Sequence, residues 1–279
     1  MNSKKKITLF GIILFLLVLC IFILVFVSSK RSNIKSDTAT KFVDKLYENN
    51  MINLEYKDNN ETYKTINKGE ELESRGAYTV VSSDFSIEVD EDNNIISFVI
   101  NNVEKGKQNI DSDEALDIAK RYLTSLTDKE YLYSSLVVDS NDTNYYSFMF
   151  SKMKDGYAFY SDHIVININK TTGYLDGYTN INIQHNPKNP ELLISEDEAK
   201  NNAIKYFNKT NTNGTINQEI QKAYCDNNEN TKTELCYVVI VEGNDMNDKQ
   251  VMMKYFISTK DGKVINQVNE TITETQSDN

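Results

Sequence analysis

The clearest pattern of apolar and polar residues begins with a helical period in the middle of the chain. Six apolar residues fall on one helical face: Ala115, Ile118, Ala119, Tyr122, Leu123 and Leu126. Asp111 precedes this face as an N-cap and Glu114 lies three residues on, which predicts a capping box at the helix start. Strand patterns follow at about 132–138, 145–152, 157–169 and 174–183. The third strand is either continuous or broken near Asp162.

The same order of elements returns near the C-terminus. The helix start Ile194-Ser195-Glu196-Asp197-Glu198-Ala199 repeats Ile110-Asp111-Ser112-Asp113-Glu114-Ala115, with Ser195 as N-cap. Predicted strands follow at about 218–225, 234–241, 251–258 and 263–273. Pro187 and Pro190 lie between the two copies and predict a linker, because proline removes backbone donors.

A looser copy precedes both. A helix is predicted at 37–49, and strands follow at 77–81, 85–89 and 95–103. The sequence therefore predicts an α+β fold of tandem repeats, each a helix packed on an antiparallel sheet. The three repeats span 37–105, 110–184 and 194–273, and residues 274–279 form a C-terminal tail.

An unbroken apolar run, residues 7–27, precedes the repeats. A helix of that length spans about 31 Å, close to the hydrocarbon thickness of a bilayer. A cleaved signal peptide normally has a shorter apolar region, and a lipoprotein would need a small residue before Cys20, where Leu19 stands. We therefore predict an uncleaved signal anchor at 7–27 that contacts membrane lipid.

The charges beside this run predict its orientation. Lys4, Lys5 and Lys6 precede it, which weakly favours an N-terminus in the cytoplasm. Residues 1–6 are then a cytoplasmic tail and residues 28–36 an external stalk. The predicted protein is a single-pass protein of the cell membrane with an extracytoplasmic C-terminal body.

Charge narrows the classes of partner. The net charge is −11, and residues 1–31 hold five of the 30 basic residues and none of the 41 acidic ones, which leaves −16 for the remainder. The overall field of so acidic a body disfavours nucleic acid and anionic lipid as partners. Solubility is the simplest use of this charge, and a basic protein or divalent cations are the alternative partners.

Two cysteines, Cys225 and Cys236, lie outside the apolar run. They fall on two strands of a predicted hairpin and are expected to lie nearly opposite each other. Outside the cytoplasm, one alternative for such a pair is a disulfide. The other alternative is two reduced cysteines, one of them packed beside Val238 and Ile240.

No sequence motif indicates a catalytic centre. His163 lies on a predicted strand and His185 in the proline linker, so both are predicted to be surface or sheet-edge residues. The chain has no His-x-x-x-His, Cys-x-x-Cys or Gly-x-Ser-x-Gly spacing. Zinc, thiol redox and hydrolase-elbow chemistry therefore lack support.

The acidic clusters have simpler explanations than metal binding. Asp90–Asn94 departs from a calcium loop, which needs Gly and Glu at positions where this chain has other residues. Asp226–Glu229 is likewise predicted to be a solvated turn, and helix capping accounts for Asp113 and Glu114. We therefore predict no catalytic, cofactor-binding or metal-binding residue, no cofactor, no small-molecule substrate and no enzyme activity.

Three motifs together resemble a known family. They are the Ile-(Asp/Ser)-x-Asp-Glu-Ala helix start, the strand Tyr145-Tyr146-Ser147-Phe148-Met149-Phe150, and the strand and Gly turn from Asp162 to Leu175. Their order is similar to PepSY-type modules in tandem extracytoplasmic proteins of spore-forming Gram-positive bacteria. The C-terminal region of YpeB-like germination proteins and the YcdB/YcdC repeat are similar, and the anchored regulators YycI and YycH share the general architecture. The segments similar to YpeB are Tyr160–Ile164, Asn186-Pro187 and Glu234–Tyr237.

The resemblance covers about 110–273 and, more loosely, 36–105. It implies a non-catalytic interaction or regulatory protein that binds or restrains an envelope or spore-cortex hydrolase. The chain departs from the YpeB pattern because it lacks a long helical region between the predicted anchor and the modules. Two other hypotheses are a regulator of a membrane sensor kinase, similar to YycI and YycH, and, less favoured, a hydrolase.

Overall fold

The computed structural model describes residues 30, 33–56, 63–66, 77–103, 106–138, 142–181, 187, 189–216, 218–227 and 232–270. This part of the chain has a mixed α+β structure, mostly strand with three helices. Residue contacts divide the chain into two compact bodies. The first body comprises Met1–Thr127, Leu136–Phe148 and Val165–Asn180, and the second comprises Asp128–Ser135, Met149–Ile164 and Ile181–Asn279.

The three helices lie where the apolar periodicity predicts them. Helix α1 spans residues 33–48, α2 spans Ser112–Leu126 and α3 spans Glu196–Phe207. A 3-10 helix at Leu54–Tyr56 follows α1. Helix α1 begins before its predicted start, so residues 33–36 of the predicted stalk are helical.

The predicted N-caps of α2 and α3 are confirmed. Asp111 Oδ1 accepts hydrogen bonds from the backbone N–H groups of Asp113 at 3.1 Å and Glu114 at 2.9 Å. Ser195 Oγ accepts one from Glu198 N at 3.1 Å. These side chains satisfy donors that a helix leaves unpaired in its first turn, which fixes where each helix begins.

Thirteen strands lie in the described part of the chain. They are β1 Lys64–Ile66, β2 Ala77–Val81, β3 Phe85–Asp90, β4 Ile95–Ile100, β5 Tyr131–Val138, β6 Tyr145–Lys154, β7 Tyr157–Asn169, β8 Leu175–Ile181, β9 Thr212–Thr215, β10 Gln221–Asp226, β11 Thr233–Asn244, β12 Gln250–Ser258 and β13 Val264–Glu270. The contact division runs through β5, β6, β7 and β8, so each of these strands contributes residues to both bodies.

The first body holds a sheet in the order β1-β2-β3-β4-β8-β7. The pairs from β1 to β4, and the pair of β4 with β8, are antiparallel. Strand β3 alternates between buried and partly exposed residues, and Phe85, Ile87 and Val89 are fully buried. This period of two puts one face of the strand in the core, as the sequence predicts.

Aromatic rings join α1 to this sheet. The Phe42 ring lies 5.7 Å from the Phe98 ring and 5.9 Å from the Tyr178 ring, measured between centroids. Tyr47 packs edge-on against Phe85 at 6.5 Å. Helix α2 of the same body buries Ala115, Ile118, Ala119 and Leu123, which belong to its predicted apolar face. Each large buried side chain of this kind contributes roughly 1.5–3 kcal/mol to folding.

The second body has its own sheet, in the order β7-β10-β11-β12-β13. Strand β10 is parallel to β7, with Tyr224 beside Phe159, and the pairs β10–β11, β11–β12 and β12–β13 are antiparallel. The short strand β9 pairs with the end of β11 beyond β10. The repeat is thus a local meander apart from the parallel pair.

Helix α3 packs on this sheet through residues at helical spacing. Ala199, Ala203 and Phe207 are fully buried and share a core cluster with five sheet residues: Tyr237, Val239, Val241, Tyr255 and Ile257. The two alanines allow the helix backbone to lie close to the sheet, and Phe207 fills the space beyond them. A Cβ on Gly243 would lie 2.6 Å from Phe207 and 2.4 Å from the carbonyl oxygen of Thr212, so only glycine fits there.

The structure settles one alternative that the sequence left open and adds strands that were not predicted, among them β1 and β9. Strand β7 is continuous through Asp162, which settles the alternative that the sequence left open. Strand β9, Thr212–Thr215, was not predicted, because its Thr-Asn-Gly-Thr sequence has no apolar alternation. Its pairing with β11 is a long-range contact that a local pattern does not reveal.

No helix within the described ranges is both long and apolar enough to cross a membrane. The predicted span, residues 7–27, and the cytoplasmic tail, residues 1–6, lie outside the described residues. Both therefore stay predictions.

Candidate functional site

The motifs that most resemble functional sites meet where each helix begins. In the second repeat, the backbone N–H groups of Asn109 and Ile110 both donate to the carbonyl oxygen of Lys170, at 3.0 and 3.1 Å. Lys170 belongs to the turn between β7 and β8. Gly173 of that turn has φ +73, and a Cβ there would lie 2.8 Å from Ile110 and 3.1 Å from Ile118. We call this arrangement dock two.

The third repeat reproduces the same contacts. Leu193 N and Ile194 N both donate to the carbonyl oxygen of Thr259, at 3.0 and 3.1 Å. Gly262 has φ +72, and its carbonyl oxygen accepts a hydrogen bond from the Asn202 side chain at 3.1 Å. We call this arrangement dock three. The repeated helix-start motif therefore serves to fix a helix on a glycine turn.

A tyrosine on a neighbouring strand completes docks two and three. The hydroxyl of Tyr146 donates to the carbonyl oxygen of Ile110 at 3.3 Å, and that of Tyr237 donates to Ile194 at 3.1 Å. Both tyrosines are buried. Their equivalent contacts in the two repeats are thus explained by a buried hydroxyl that needs a hydrogen-bond partner.

The first repeat forms its dock with a lysine side chain. Lys35 Nζ donates to the carbonyl oxygens of Asp90 and Glu91, at 2.6 and 2.9 Å, and to Asn93 Oδ1 at 2.7 Å. The ammonium also lies 5.0 Å from the centre of the Tyr78 ring, and the residue is only 4% exposed. We call this arrangement dock one.

Dock one explains the acidic turn Asp90–Asn94. The sequence predicts a solvated acidic turn, but the backbone carbonyl oxygens of Asp90 and Glu91 and the side-chain oxygen of Asn93 converge on the ammonium of Lys35. Three oxygen acceptors match the three donors of an ammonium group. Nowhere in the described part of the chain do three or more His, Cys, Asp or Glu side chains cluster closely enough to hold a metal ion.

A buried carboxyl group lies next to dock two. Asn169 Nδ2 donates to Asp176 Oδ2 at 2.9 Å, while Asn169 Oδ1 accepts from the backbone N–H groups of Thr171 at 2.8 Å and Thr172 at 3.1 Å. Burial raises the pKa of Asp176 to about 7, and the hydrogen bond from Asn169 opposes the rise. The carboxyl is therefore protonated in a large fraction of molecules at neutral pH, and it joins the strand to the turn.

Sequence reasoning did not single out Asp176. The available signal was an acidic residue directly after Leu175, a predicted core residue of a strand. Residues of a strand normally alternate between a buried face and a solvent face, so the local pattern predicts that Asp176, next to Leu175, is exposed. In the structure both residues are buried.

His163 lies on β7, half-buried. Burial lowers the pKa of His163 below its ordinary value, and the adjacent carboxylate of Asp162 partly opposes that change. The imidazole is therefore neutral at pH 7. Asp162 is fully buried and pairs with Lys152 at 2.7 Å, so its charge is compensated within the second body. His185 lies outside the described residues.

The two cysteines lie close together but not directly opposite each other. Cys225 is opposite Glu234, and Cys236 is opposite Ala223, so the cysteines are diagonal neighbours on one sheet face. Both are free, buried thiols in a cluster with Phe256. The two strands pair as a hairpin, as predicted, and the cysteines are offset by two residues from direct opposition. The disulfide stays a prediction.

Burial changes the acidity of the Cys236 thiol. Burial and a hydrogen bond with Cys225 raise the pKa of Cys236 well above its ordinary value. Because the thiolate is the reactive form, the folded sheet keeps Cys236 unreactive.

Two clefts lie beside the docks. One of about 280 Å³ adjoins dock one and is lined by Ile34, Lys35, Tyr78, Glu91, Asp92 and Asn93. Another of about 350 Å³ adjoins dock three and is lined by Asn202, Lys205, Tyr206, Lys209, Gly262, Lys263 and Val264. The lysines in the second cleft lie mainly at the C-terminal end of α3, where cations complement the helix dipole. Neither cleft combines a nucleophile with a base.

Comparison with known proteins agrees with the α+β fold described above. Residues 81–182 match the family described as the YcdB, YcdC repeated domain. The matched segment contains β3, β4, helix α2 and dock two, so it includes strands of the first repeat together with the second. No curated protein sequence matches the chain.

The fold is also similar to the Bacillus megaterium YpeB C-terminal domain. The TM-score is 0.52 at 18% sequence identity, and the alignment covers 86% of this chain and 99% of that chain. At this low identity, the similarity concerns the fold alone. The resemblance to the YcdB/YcdC repeat and the YpeB C-terminal region that the sequence predicted is confirmed.

Proposed function

We propose that the chain is a non-catalytic, membrane-anchored interaction module outside the cytoplasm that binds or restrains an envelope or spore-cortex hydrolase. The observation that carries this proposal is the shared fold with the YpeB C-terminal domain over 86% of the chain. The YcdB/YcdC and YpeB-like domains are not a known class of enzymes. The choice of a hydrolase as the partner follows from the resemblance to YpeB-like germination proteins.

The use of polar residues supports a binding role. Asp111 and Ser195 cap helices, and Lys35 forms dock one. These polar side chains are therefore engaged in holding the fold. We propose that tandem repeats at 37–105, 110–184 and 194–273 provide a scaffold whose exposed surfaces contact the partner.

The proposed location depends on residues 7–27. Their apolar run favours a membrane span, with residues 1–6 in the cytoplasm. Protease treatment of intact protoplasts tests this orientation. Degradation of the C-terminal body with retention of an N-terminal tag is the expected result, and protection of the body would contradict it.

Affinity purification tests the interaction itself. The tagged chain is solubilised from sporulating and vegetative membranes after crosslinking, and co-purified proteins are compared with those of an unrelated protein on the same anchor. Reproducible enrichment of a cell-wall hydrolase supports the proposal. Recovery of no specific partner from either preparation counts against it.

An anchor exchange separates the sensor-kinase alternative from this proposal. Residues 7–27 are replaced by an unrelated membrane helix of the same length. Retained function supports binding by the external body, whereas loss of function at unchanged abundance favours a regulator that acts through its membrane helix.

A further inference from the structure

The cleft beside dock three differs in charge from the rest of the chain. Its volume is about 350 Å³, within the roughly 300–1,000 Å³ of small ligand sites. The described residues that line it are Asn202, Lys205, Tyr206, Lys209, Gly262, Lys263 and Val264. Every charged residue in this lining is a lysine, whereas the residues after 31 carry a net charge of −16. We call these seven residues the lysine cleft.

The equivalent position in the second repeat is covered by the chain itself. Tyr122 of α2 occupies the place that Tyr206 has in α3, four residues after the second buried alanine of the apolar face minus one. The Tyr122 hydroxyl lies 3.2 Å from the carbonyl oxygen of Gly173 and 3.4 Å from that of Asn50. A residue of the first repeat therefore meets the tyrosine of dock two.

The segment after α1 makes a second contact with this turn. Leu175 N donates to the carbonyl oxygen of Met51 at 2.7 Å, and both Met51 and Ile52 are fully buried. Residues Asn50–Ile52 of the first repeat thus bind the second repeat through two backbone carbonyl oxygens. Because these acceptors belong to the backbone, a peptide of different sequence can present the same atoms.

The third repeat leaves the corresponding position open. Tyr206 is 37% exposed, and its hydroxyl has no carbonyl acceptor in the described part of the chain. Asn202 replaces Ile118 of the second repeat, and its side-chain nitrogen donates to the carbonyl oxygen of Gly262 at 3.1 Å. The place where Asn50–Ile52 lies on the second repeat thus corresponds, in the third, to a cleft with a polar lining.

Two lysines of the cleft carry uncompensated charge. Lys205 and Lys209 are exposed, and neither forms an ion pair with a residue that the structure describes. Lys263 differs, because it pairs with Asp261 at 2.6 Å and also interacts with the carboxylate of Glu234. The helix dipole stabilises a cation at this end of α3, but it does not remove the repulsion between two lysines that line one cleft. An anionic group bound between them does.

We infer that the lysine cleft binds an extended segment of a partner protein that carries Asp or Glu side chains. The Tyr206 hydroxyl donates to a backbone carbonyl oxygen of the segment, as Tyr122 does to Asn50. Lys205 and Lys209 form charge-assisted hydrogen bonds with its carboxylates. This inference rests on the proposed function, because it names a surface and the chemistry by which the module recognises its partner.

A synthetic peptide tests the inference on the full-length chain in detergent. The probe is fluorescent Glu-Asp-Asn-Met-Ile-Asp-Glu, whose centre copies residues 50–52, and a second peptide has lysine in place of each acidic residue. Lys205→Gln with Lys209→Gln removes two charges from the cleft. Lys232→Gln with Lys249→Gln removes two exposed charges elsewhere in the second body and is the matched control. Tyr206→Phe removes the hydroxyl alone, and circular dichroism checks that each variant is folded.

The wild type is expected to bind the acidic peptide. The dissociation constant should rise about tenfold in the cleft double variant and about threefold in Tyr206→Phe, and should not change in the control double variant. The lysine peptide should bind at least about tenfold more weakly than the acidic one. No binding of the acidic peptide, or equal losses in the two double variants, overturns the inference. Inorganic phosphate that binds as tightly, with the same dependence on Lys205 and Lys209, also overturns it in favour of a simple anion site.

The chain itself supplies two competing occupants. Peptide binding that appears only after residues 271–279 are deleted overturns the inference, in favour of the chain's own C-terminal residues. A dimer that the cleft double variant converts to a monomer overturns it in favour of a second copy. Repulsion between two bodies of net negative charge opposes that second outcome.

The partner purification separates this inference from the proposed function. If the cleft double variant still recovers the same partner as the wild type, the lysine cleft is not the docking surface, and the interaction role stands. If neither chain recovers a partner, the interaction role fails, and the peptide titration still decides what the cleft binds.

Discussion

Dock one and dock two both belong to the first body, and each fixes the start of a repeat to a turn between two strands. They use different chemical groups to do so. In dock two, two backbone N–H groups donate to the carbonyl oxygen of Lys170. In dock one, the side chain of Lys35 donates to the corresponding turn, at Asp90, Glu91 and Asn93. Dock three repeats the backbone version in the second body. The position of the contact is thus common to all three repeats, and its chemistry is not.

This difference explains why the first repeat looks degenerate in sequence. A backbone contact places no demand on side chains except for space, which is why docks two and three have glycine in the turn. The side-chain contact of dock one places no glycine there: Asn93 adopts φ 67 itself, a conformation that asparagine tolerates better than most residues. The first repeat therefore lacks the glycine in its turn because a lysine side chain, and not the backbone, makes the contact.

Among substitutions compared at neutral pH, the largest expected effect is at the glycine of dock two. Gly173→Ala combines a left-handed backbone with contacts at 2.8 and 3.1 Å to Ile110 and Ile118, so we expect a loss of about 3 kcal/mol in the free energy of unfolding. Urea denaturation followed by far-ultraviolet circular dichroism measures it, since the chain has no tryptophan.

Gly156→Ala is the matched control for that substitution. Gly156 has φ +79 and nothing within 4 Å of its added Cβ, so only the backbone term of about 1 kcal/mol is expected. Gly262→Ala should lie between the two, because its neighbour at 2.6 Å is the end of the movable Asn202 side chain. Equal losses at Gly156 and Gly173 would show that the contact with α2 contributes nothing.

The second effect concerns the lysine of dock one. Lys35→Met keeps much of the stem but leaves three oxygen acceptors without their donor, and we expect a loss of about 2–3 kcal/mol. Lys45→Met, at an exposed position of the same helix, should change stability by less than about 0.5 kcal/mol. The comparison uses the same denaturation assay. Similar values for the two variants would remove dock one as a stabilising contact.

The third effect depends on pH. The pKa of Asp176 is about 7 in the folded chain and near its ordinary value when unfolded, so unfolding releases a proton between about pH 4 and pH 7. The stability contributed by this group is present in acid and is lost as pH rises through 7, with a maximum slope of about 1.4 kcal/mol per pH unit.

Asp176→Asn should remove that slope and keep the hydrogen bond from Asn169, because an amide oxygen can accept it. The measurement is the difference in unfolding free energy between wild type and variant at several pH values. A difference that stays constant from pH 4 to pH 8 would show that Asp176 does not titrate in this range.

The smallest effect compares the caps of α2 and α3. Asp111 accepts two backbone hydrogen bonds and Ser195 accepts one. Asp111→Ala should cost about 1–2 kcal/mol and Ser195→Ala about 0.5–1 kcal/mol, measured by urea denaturation. The reverse order would mean that the charge and second bond of Asp111 add nothing to its capping.

The helices and most strands could be predicted because their signals are local. The apolar face of α2, the caps at Asp111 and Ser195, and the alternation of Phe85, Ile87 and Val89 each follow from neighbouring residues. Such patterns decide which face is buried without knowledge of the partner element.

The contacts that the sequence did not predict join distant residues. Lys35 and the turn at Asp90 are 55 residues apart, and no local pattern distinguishes Lys35 from the exposed lysines around it. The burial of Asp176 and the two-residue offset between Cys225 and Cys236 likewise depend on how strands pair. Lys35 lies in the predicted stalk, before the predicted helix at 37–49, so the periodicity of that helix did not include it.

Dock one also has a mechanical consequence. The hydrogen bonds of Lys35 connect helix α1 directly to the hairpin of β3 and β4, across 55 residues of sequence. A tension applied at the N-terminus, where the anchor is proposed, enters the body at this helix. The hydrogen bonds of the ammonium transfer part of that tension directly to the hairpin, so the intervening chain carries less of it. If the chain is anchored as proposed, Lys35 carries part of the tension on it, and loss of Lys35 is expected to lower the force at which the first body unfolds.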